Sequence, residues 1–207
     1  LLAWAREKEG RYIIEDDYDS EFRYKGKPIP ALQGMDEEEK VIYIGTFSKS
    51  IMPSLRISYL VLPMRLLERY EQVGRSFSCT VSRTDQKMLQ LFMERGYFER
   101  HLNKMRALYR SKHDILLGEL RRMKGIKRIF GERSGVHLLV QMEDKRTEQE
   151  LTDCAGQAGI RVYPLSEYCL DDRTCETMML LGYATMKEEE IRTAAGLLER
   201  SWERGKR

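Results

Sequence analysis

The four cysteines, Cys79, Cys154, Cys169 and Cys175, form no CxxC pair and no dense framework. That excludes a disulfide-stapled fold and fits reduced thiols in a cytoplasmic protein. Histidines are fewer still, and none of His101, His113 and His137 stands at ligand spacing beside an acidic cluster, which leaves a metal centre little to be built from. No apolar run approaches the ~20 residues of a membrane span, and no charged-then-apolar leader is legible. Nor does one charge dominate: 36 Lys and Arg stand against 33 Asp and Glu, a net +3. That balance excludes a polybasic nucleic-acid arm, so any contact with DNA requires another segment. Internal repeats and low-complexity tracts are absent as well. What the 207 residues do supply, at 42% hydrophobic, is ordinary core material, enough for one large domain or two small ones.

The chain opens at Leu1 without a methionine, and LLAWAREKEG reads as the last turns of a helix capped by Gly10, which predicts a start inside a domain. Strands are predicted at Tyr12–Ile14, running into the acids Glu15, Asp16 and Asp17, at Val41–Ile44 and at Ile57–Leu62. Apolar runs without alternation suit strands buried on both faces of a helix-covered, mostly parallel sheet. Pro28 and Pro30 break the first connection, Asp36–Lys40 is a solvated turn, and Pro63 opens a helix to about Gly74. From Thr84 the pattern is helical, interrupted near Gly96, and Leu102, Met105, Leu108, Tyr109, Ile115, Leu116 and Leu120 form one apolar stripe bridging two subdomains. Strands at Ile126–Phe130, Val136–Met142, Ile160–Tyr163 and Met178–Tyr183 follow, with helices at Thr147–Ala158 and Lys187–Trp202. Thr185, with Glu188 at capping-box distance, is the predicted cap of the last helix. The methionines read as core filler, His137 as a satisfied core histidine, and Arg121, Arg122, Lys124, Lys127 and Arg128 as a solvated helix end.

Two stretches carry chemistry. Gly45-Thr46-Phe47-Ser48-Lys49-Ser50 follows a strand, with Arg56 seven positions beyond Lys49. An amine in an apolar pocket near another cation loses its proton more readily, and the neutral amine forms Schiff bases. Thr46 and Ser48 offer hydroxyl donors and Arg56 a forked cation, the groups a phosphate takes. A surface turn with an exposed lysine is the plain alternative. The second stretch, Glu15-Asp16-Asp17-Tyr18-Asp19-Ser20-Glu21-Phe22, holds too many carboxylates to bury together. One of them at a strand end can hold a heterocyclic nitrogen protonated, and a tyrosine can hydrogen-bond a neighbouring phenolate; with a Schiff-base lysine these are the protein groups pyridoxal phosphate needs. A solvated acidic loop or a metal site is the alternative here.

IIEDDYDSEFRY, IPAL and VIYIGTFSKSIMPSLRISYLVLP together resemble the aminotransferase-like domain of MocR-type regulators of the GntR superfamily, within the fold-type I pyridoxal-phosphate proteins; LLAWAREKEG, VYPLSEYCL and LLGYATMKEEEI extend the resemblance over nearly the whole chain. The resemblance implies an α/β fold, with residues 1–100 as the C-terminal part of a large cofactor-binding domain and 101–207 as a smaller α+β domain. It implies that Lys49 binds pyridoxal 5′-phosphate covalently, that Asp16 pairs with the pyridine nitrogen, that Tyr18 contacts the 3-oxygen, and that Thr46, Ser48 and Arg56 lie at the phosphate. Asp17 competes with Asp16, because adjacent strand residues face opposite ways and only one can serve; the family pattern favours Asp16.

The chain departs from the superfamily in two respects. The resemblance implies that the phosphate-cradling glycine loop and the aromatic ring that stacks on the cofactor lie in sequence upstream of this chain. The arginine that grips a substrate carboxylate has no counterpart in Thr177–Leu181, where Arg173 is the nearest cation and a solvated loop arginine its plain reading.

The leading expectation is an effector-sensing domain of a transcriptional regulator: homodimeric, answering to a small amine or amino acid, and touching DNA only through an upstream winged helix. A catalytic aminotransferase, and a degenerate domain that only dimerises, are the alternatives. The same residues serve the first two.

Overall fold

A computed structural model describes residues 1–74, 76–143, 145–169 and 177–204. The chain divides into two compact units, Leu1–Glu21 with Lys27–Lys104, and Phe22–Gly26 with Met105–Arg207.

Unit 1 begins with α1 (Leu2–Arg6), which stops at Glu7 rather than at Gly10. Its end is closed by a side chain: the Arg11 guanidinium donates to the Trp4 carbonyl at 2.8 Å and to the Glu7 carboxylate at 2.7 Å, and lies over the Trp4 ring. A cation on the last carbonyls does what a cap glycine does elsewhere. The strand β1 (Ile13–Asp17) extends through the acidic residues and pairs in parallel with β2 (Val41–Thr46), Asp16 opposite Ile44 and Asp17 opposite Gly45. Between them the Asp36 carboxylate accepts from the Val41 backbone N–H at 2.7 Å, holding the solvated turn closed.

The third strand, β3 (Ser58–Val61), runs antiparallel to β2, so the described sheet holds one parallel and one antiparallel pairing. All four β3 positions are exposed, contrary to the burial its apolar run predicts. Among the described residues the strand is an edge, paired only with β2. Helices α3 (Met64–Gly74), α4 (Arg83–Glu94) and α5 (Tyr97–Leu120) follow. Ser82 caps α4, and Gly96 separates α4 from α5 with φ +69°, a left-handed turn that suits glycine. α5 runs on from unit 1 into unit 2 at Lys104–Met105.

Unit 2 is an antiparallel sheet in the order β4 (Ile126–Phe130), β5 (His137–Met142), β7 (Met178–Gly182), β6 (Tyr163–Pro164). Alternation along β5 and β7 turns Leu138, Val140, Met142, Met179 and Leu181 to one face. They pack with Leu116, Leu117 and Leu120 of α5, Leu151 and Ala155 of α6 (Glu148–Gln157), and Ile191, Ala195, Leu198 and Trp202 of α7 (Glu188–Arg204). The α7 residues recur every three or four positions, the spacing of one helix face. Fully burying a side chain such as Leu120 or Leu138 stabilises the unit by about 1.5–3 kcal/mol. The Trp202 indole N–H finds the Leu151 carbonyl at 3.1 Å, so its burial leaves no orphan donor.

Thr147 begins α6 with a full capping box, its hydroxyl accepting from the Glu150 N–H while the Glu150 carboxylate accepts from the Thr147 N–H. At α7 the cap differs from the sequence reading: Glu190 reaches back to the Lys187 N–H at 2.7 Å, and Thr185 takes no part. Lys127 and Arg128 lie in β4, not at a helix end. The methionines divide, with Met123, Met142 and Met179 in the core and Met35, Met52, Met64, Met88 and Met93 exposed. No helix of the described residues is long and apolar enough to cross a membrane.

Candidate functional site

The chemistry-bearing residues of unit 1 gather where the parallel strands β1 and β2 reach their carboxyl ends, the place where open α/β sheets bind ligands. Strand parity sorts the acids. Asp16 shares a face with Ile44 and, two positions on, Thr46; Asp17 lies on the other face with Glu15, Tyr43 and Gly45.

On that second face the carboxylates are committed. Glu15 accepts from the Leu32 and Gln33 backbone N–H groups at 2.7 and 2.9 Å. Asp17 accepts from the Tyr43 hydroxyl at 2.7 Å and from the Ser20 N–H at 3.2 Å. Asp19 and Glu21 also have partners. Asp16 is exposed, and of these acids it alone makes no hydrogen bond or ion pair among the described residues.

Tyr18 follows β1 and is 44% exposed. The Asp19 charge, then partial burial, then the Asp16 charge raise its pKa above the ordinary tyrosine value, so it stays a phenol and a hydrogen-bond donor. The Lys49 ammonium lies 5.9 Å from the Tyr18 ring centroid, which brings the lysine of one motif to the tyrosine of the other. Lys49 sits in α2 (Phe47–Ser50), a single turn that points it outward and Ser50 inward. It is therefore exposed, not set in the apolar pocket that its chemistry predicts. Ser50 is 1% exposed, and its hydroxyl has no partner among the described residues.

Thr46 starts α2, accepting from the Ser48 N–H at 3.2 Å and donating to the Ile57 carbonyl at 3.2 Å. The Phe47 N–H donates to that same carbonyl at 2.9 Å, which fixes Arg56, the residue before it, against this turn. Arg56 holds the left-handed conformation, φ +50°, uncommon for a residue with a side chain. Neither the Ser48 hydroxyl nor the Arg56 guanidinium has a partner among the described residues. Arg173 lies outside the described residues.

The Gly45–Ser50 motif includes Gly45 without assigning it a role, and it leaves out Tyr43 and Tyr59. A Cβ on Gly45 would stand 2.2 Å from Tyr59 Cζ, so glycine here admits the ring, which also approaches Phe47 at 5.3 Å between centroids. The glycine between a strand and a hydroxyl-rich turn was the available signal, since glycine inside a strand marks close approach. Nothing in the sequence marks Tyr43 as the partner of Asp17.

Residues 1–198 match the model of the aminotransferase class I and II family. The chain belongs to that family. Among its curated relatives, the uncharacterized HTH-type transcriptional regulator YhdI of Bacillus subtilis is 43% identical over 98% of this chain and 43% of its own length. The probable rhizopine catabolism regulatory protein MocR of Rhizobium meliloti is 34% identical over 94% of this chain and 41% of its own. The resemblance to MocR-type regulators read from EDDYDSEF and GTFSKS is thus borne out. In structure, the chain superposes on the multiple substrate aminotransferase of Thermococcus profundus with a TM-score of 0.85 and 26% identity, over 97% of this chain and 49% of that one. The α/β aminotransferase fold is borne out with it. The chain spans less than half the length of each of these proteins.

Proposed function

We propose that this aminotransferase-family chain is the pyridoxal-phosphate-binding, effector-sensing part of a transcriptional regulator. One observation carries the reading: the Lys49 amine stands over the ring of Tyr18, two residues beyond Asp16, the acid of its cluster with no hydrogen bond or ion pair among the described residues. An amine, an unengaged carboxylate, a phenol kept protonated, and a hydroxyl–guanidinium pair match an aldehyde, a pyridine nitrogen, a ring oxygen and a phosphate.

In this reading Lys49 holds the cofactor covalently, Asp16 keeps the pyridine nitrogen protonated, Tyr18 donates to the 3-oxygen, and Thr46, Ser48 and Arg56 bind the phosphate. The cofactor, when bound, supplies a carbonyl carbon at which one amine replaces another. Thr46 also gives a hydroxyl proton to the Ile57 carbonyl and so shapes the turn as well, while Ser48 and Arg56 offer donors that have no partner among the described residues. Arg173 is the proposed partner of an effector carboxylate. A small amine or amino acid that displaces Lys49 would shift the population between two states with different affinity for DNA, which requires that it bind those states unequally. The DNA contact belongs to a winged helix elsewhere in the full polypeptide, and the protein acts as a homodimer in the cytoplasm. Its regulator relatives support this reading.

The test uses the full-length protein incubated with pyridoxal 5′-phosphate, reduced with borohydride and mapped by mass spectrometry. A phosphopyridoxyl mass on the Lys49 peptide, lost in Lys49→Ala, is the expected result. Absence of any adduct on Lys49 overturns the reading. The superposition on an aminotransferase favours a second one, catalysis, in which Lys49 also moves the α-proton of an amino acid. Amino-acid-dependent conversion of bound cofactor to its amine form, with release of the keto acid, would decide for the enzyme.

A further inference from the structure

In unit 2 the strand β7 outruns its neighbour. β6 is two residues long and pairs Tyr163 with Leu180 and Pro164 with Met179, so the last residues of β7 have no strand on that side among the described residues. Gly159, at φ +75°, turns the chain out of α6 on its way to β6. Across the gap α7 presents Ala194 and Ala195, side chains too small to fill it. The result is a cavity of about 500 Å³, a size typical of small-molecule sites, and its whole lining belongs to unit 2.

The walls are mostly apolar, with the buried Val162, Leu181 and Leu198 among them. Two polar features interrupt them. Arg161 is exposed; its guanidinium stands over the Tyr163 ring, 5.0 Å from the centroid, and makes no hydrogen bond or ion pair among the described residues. The second is the backbone of Gly182. The Tyr183 N–H donates to the Val136 carbonyl and the Met142 N–H to the Thr177 carbonyl, so the odd-numbered residues of β7 spend their backbone groups on β5. Gly182, an even position, therefore directs its N–H away from β5, to the side where pairing with β6 stops at Leu180. That N–H has no partner among the described residues, and a Cβ on Gly182 would meet nothing within 4 Å. No Asp or Glu of the described residues lines the cavity.

We propose that this cavity is a binding site for a small apolar carboxylate. Arg161 and the Gly182 N–H take the carboxylate, a charge-assisted pairing that the lining opposes with no acid of its own. The apolar body of the ligand covers Leu181, Leu198 and the two alanines of α7, and the water it displaces from them drives the association. The site is separate from Lys49, which lies in unit 1, so the proposal goes beyond the functional reading and needs no cofactor.

The test is calorimetric titration of the full-length protein with octanoate, and with octanamide as its neutral counterpart. Saturable octanoate binding is expected, weakened at least about tenfold in Arg161→Gln, while octanamide changes by no more than about twofold. Ala194→Phe fills the cavity and should abolish binding of both; where the ring prevents folding, seen by circular dichroism, Ala194→Leu carries the test with a loss of at least about fivefold. Lys49→Ala should bind octanoate as the wild type does, whatever becomes of the cofactor reading. No saturable octanoate binding overturns the site. Binding that survives the filled cavity, or is lost in Lys49→Ala, puts the ligand elsewhere and overturns it too. Equal affinity for octanoate and octanamide, unchanged in Arg161→Gln, overturns the assignment of a carboxylate.

Discussion

Tyr43 gives its hydroxyl proton to Asp17 at 2.7 Å, between neighbouring strands of the unit 1 sheet. That bond separates two adjacent acids: Asp17 is engaged within the protein, and Asp16 makes no hydrogen bond or ion pair among the described residues. Asp17→Asn should destabilise the protein by about 1–2 kcal/mol, because a charged acceptor of two donors is lost, and should leave cofactor affinity within a few-fold. Asp16→Asn should do the reverse, weakening cofactor retention at least about tenfold, or about 1.4 kcal/mol, with no fall in stability. Denaturant melts and cofactor titrations of the two variants check this; equal effects on both measurements would refute the division.

Alkaline pH should weaken unit 1. Tyr43 is raised above the ordinary tyrosine value, first by burial and then by its bond to Asp17, and Tyr18 is raised first by the Asp19 charge. Above about pH 10 the unfolded chain releases these protons while the folded one keeps them, so stability is full below that value and falls as pH climbs toward the raised pKa values. Melting temperatures measured upward from about pH 9 should decline, and more gently in Tyr43→Phe, which has no such proton to lose.

Gly45→Ala should cost about 1–3 kcal/mol, because the added methyl takes the space of the Tyr59 ring. The backbone there is extended and would accept alanine, so the cost lies in the ring alone. In a Tyr59→Ala background the same change should be close to neutral, a coupling that a double-mutant cycle reads directly.

Glu148 ties the start of α6 to two other elements, accepting from the Ser166 N–H at 3.0 Å and the Met178 N–H at 2.9 Å. Glu148→Ala strands both donors and should destabilise unit 2 by about 2–4 kcal/mol. Glu148→Gln, which keeps one acceptor, should recover about half of that loss. Thermal melts of the two variants give the comparison.

Local grammar was legible in the chain where one residue type dictates one conformation. Gly96 marks the break between α4 and α5 because a left-handed turn wants glycine, and the two motifs at 15–22 and 45–50 announce a strand end and a lysine-bearing turn. The α1 terminus was not legible, since Arg11 closes it through a side chain reaching back, and the α7 cap went to Glu190 where a threonine stood nearby. FRYKG was least legible of all: it looks like the tail of an acidic loop, yet Phe22 packs on Tyr109 and the Tyr24 hydroxyl donates to the Gly135 carbonyl, both far along the chain. Strand parity gave the opposed faces of Asp16 and Asp17, but which face Tyr43 would occupy depends on the register of β1 against β2, which is set by packing.

The bare edge of β3 has a practical consequence. Tyr59, Leu60 and Val61 are 40%, 51% and 40% exposed on a strand with an unpaired side among the described residues, the combination that invites strands of other molecules to add on. Handled as this stretch alone, the polypeptide should become turbid with rising concentration and salt. A lysine at Leu60, which points away from the Tyr59 ring, is the least disruptive way to keep it in solution.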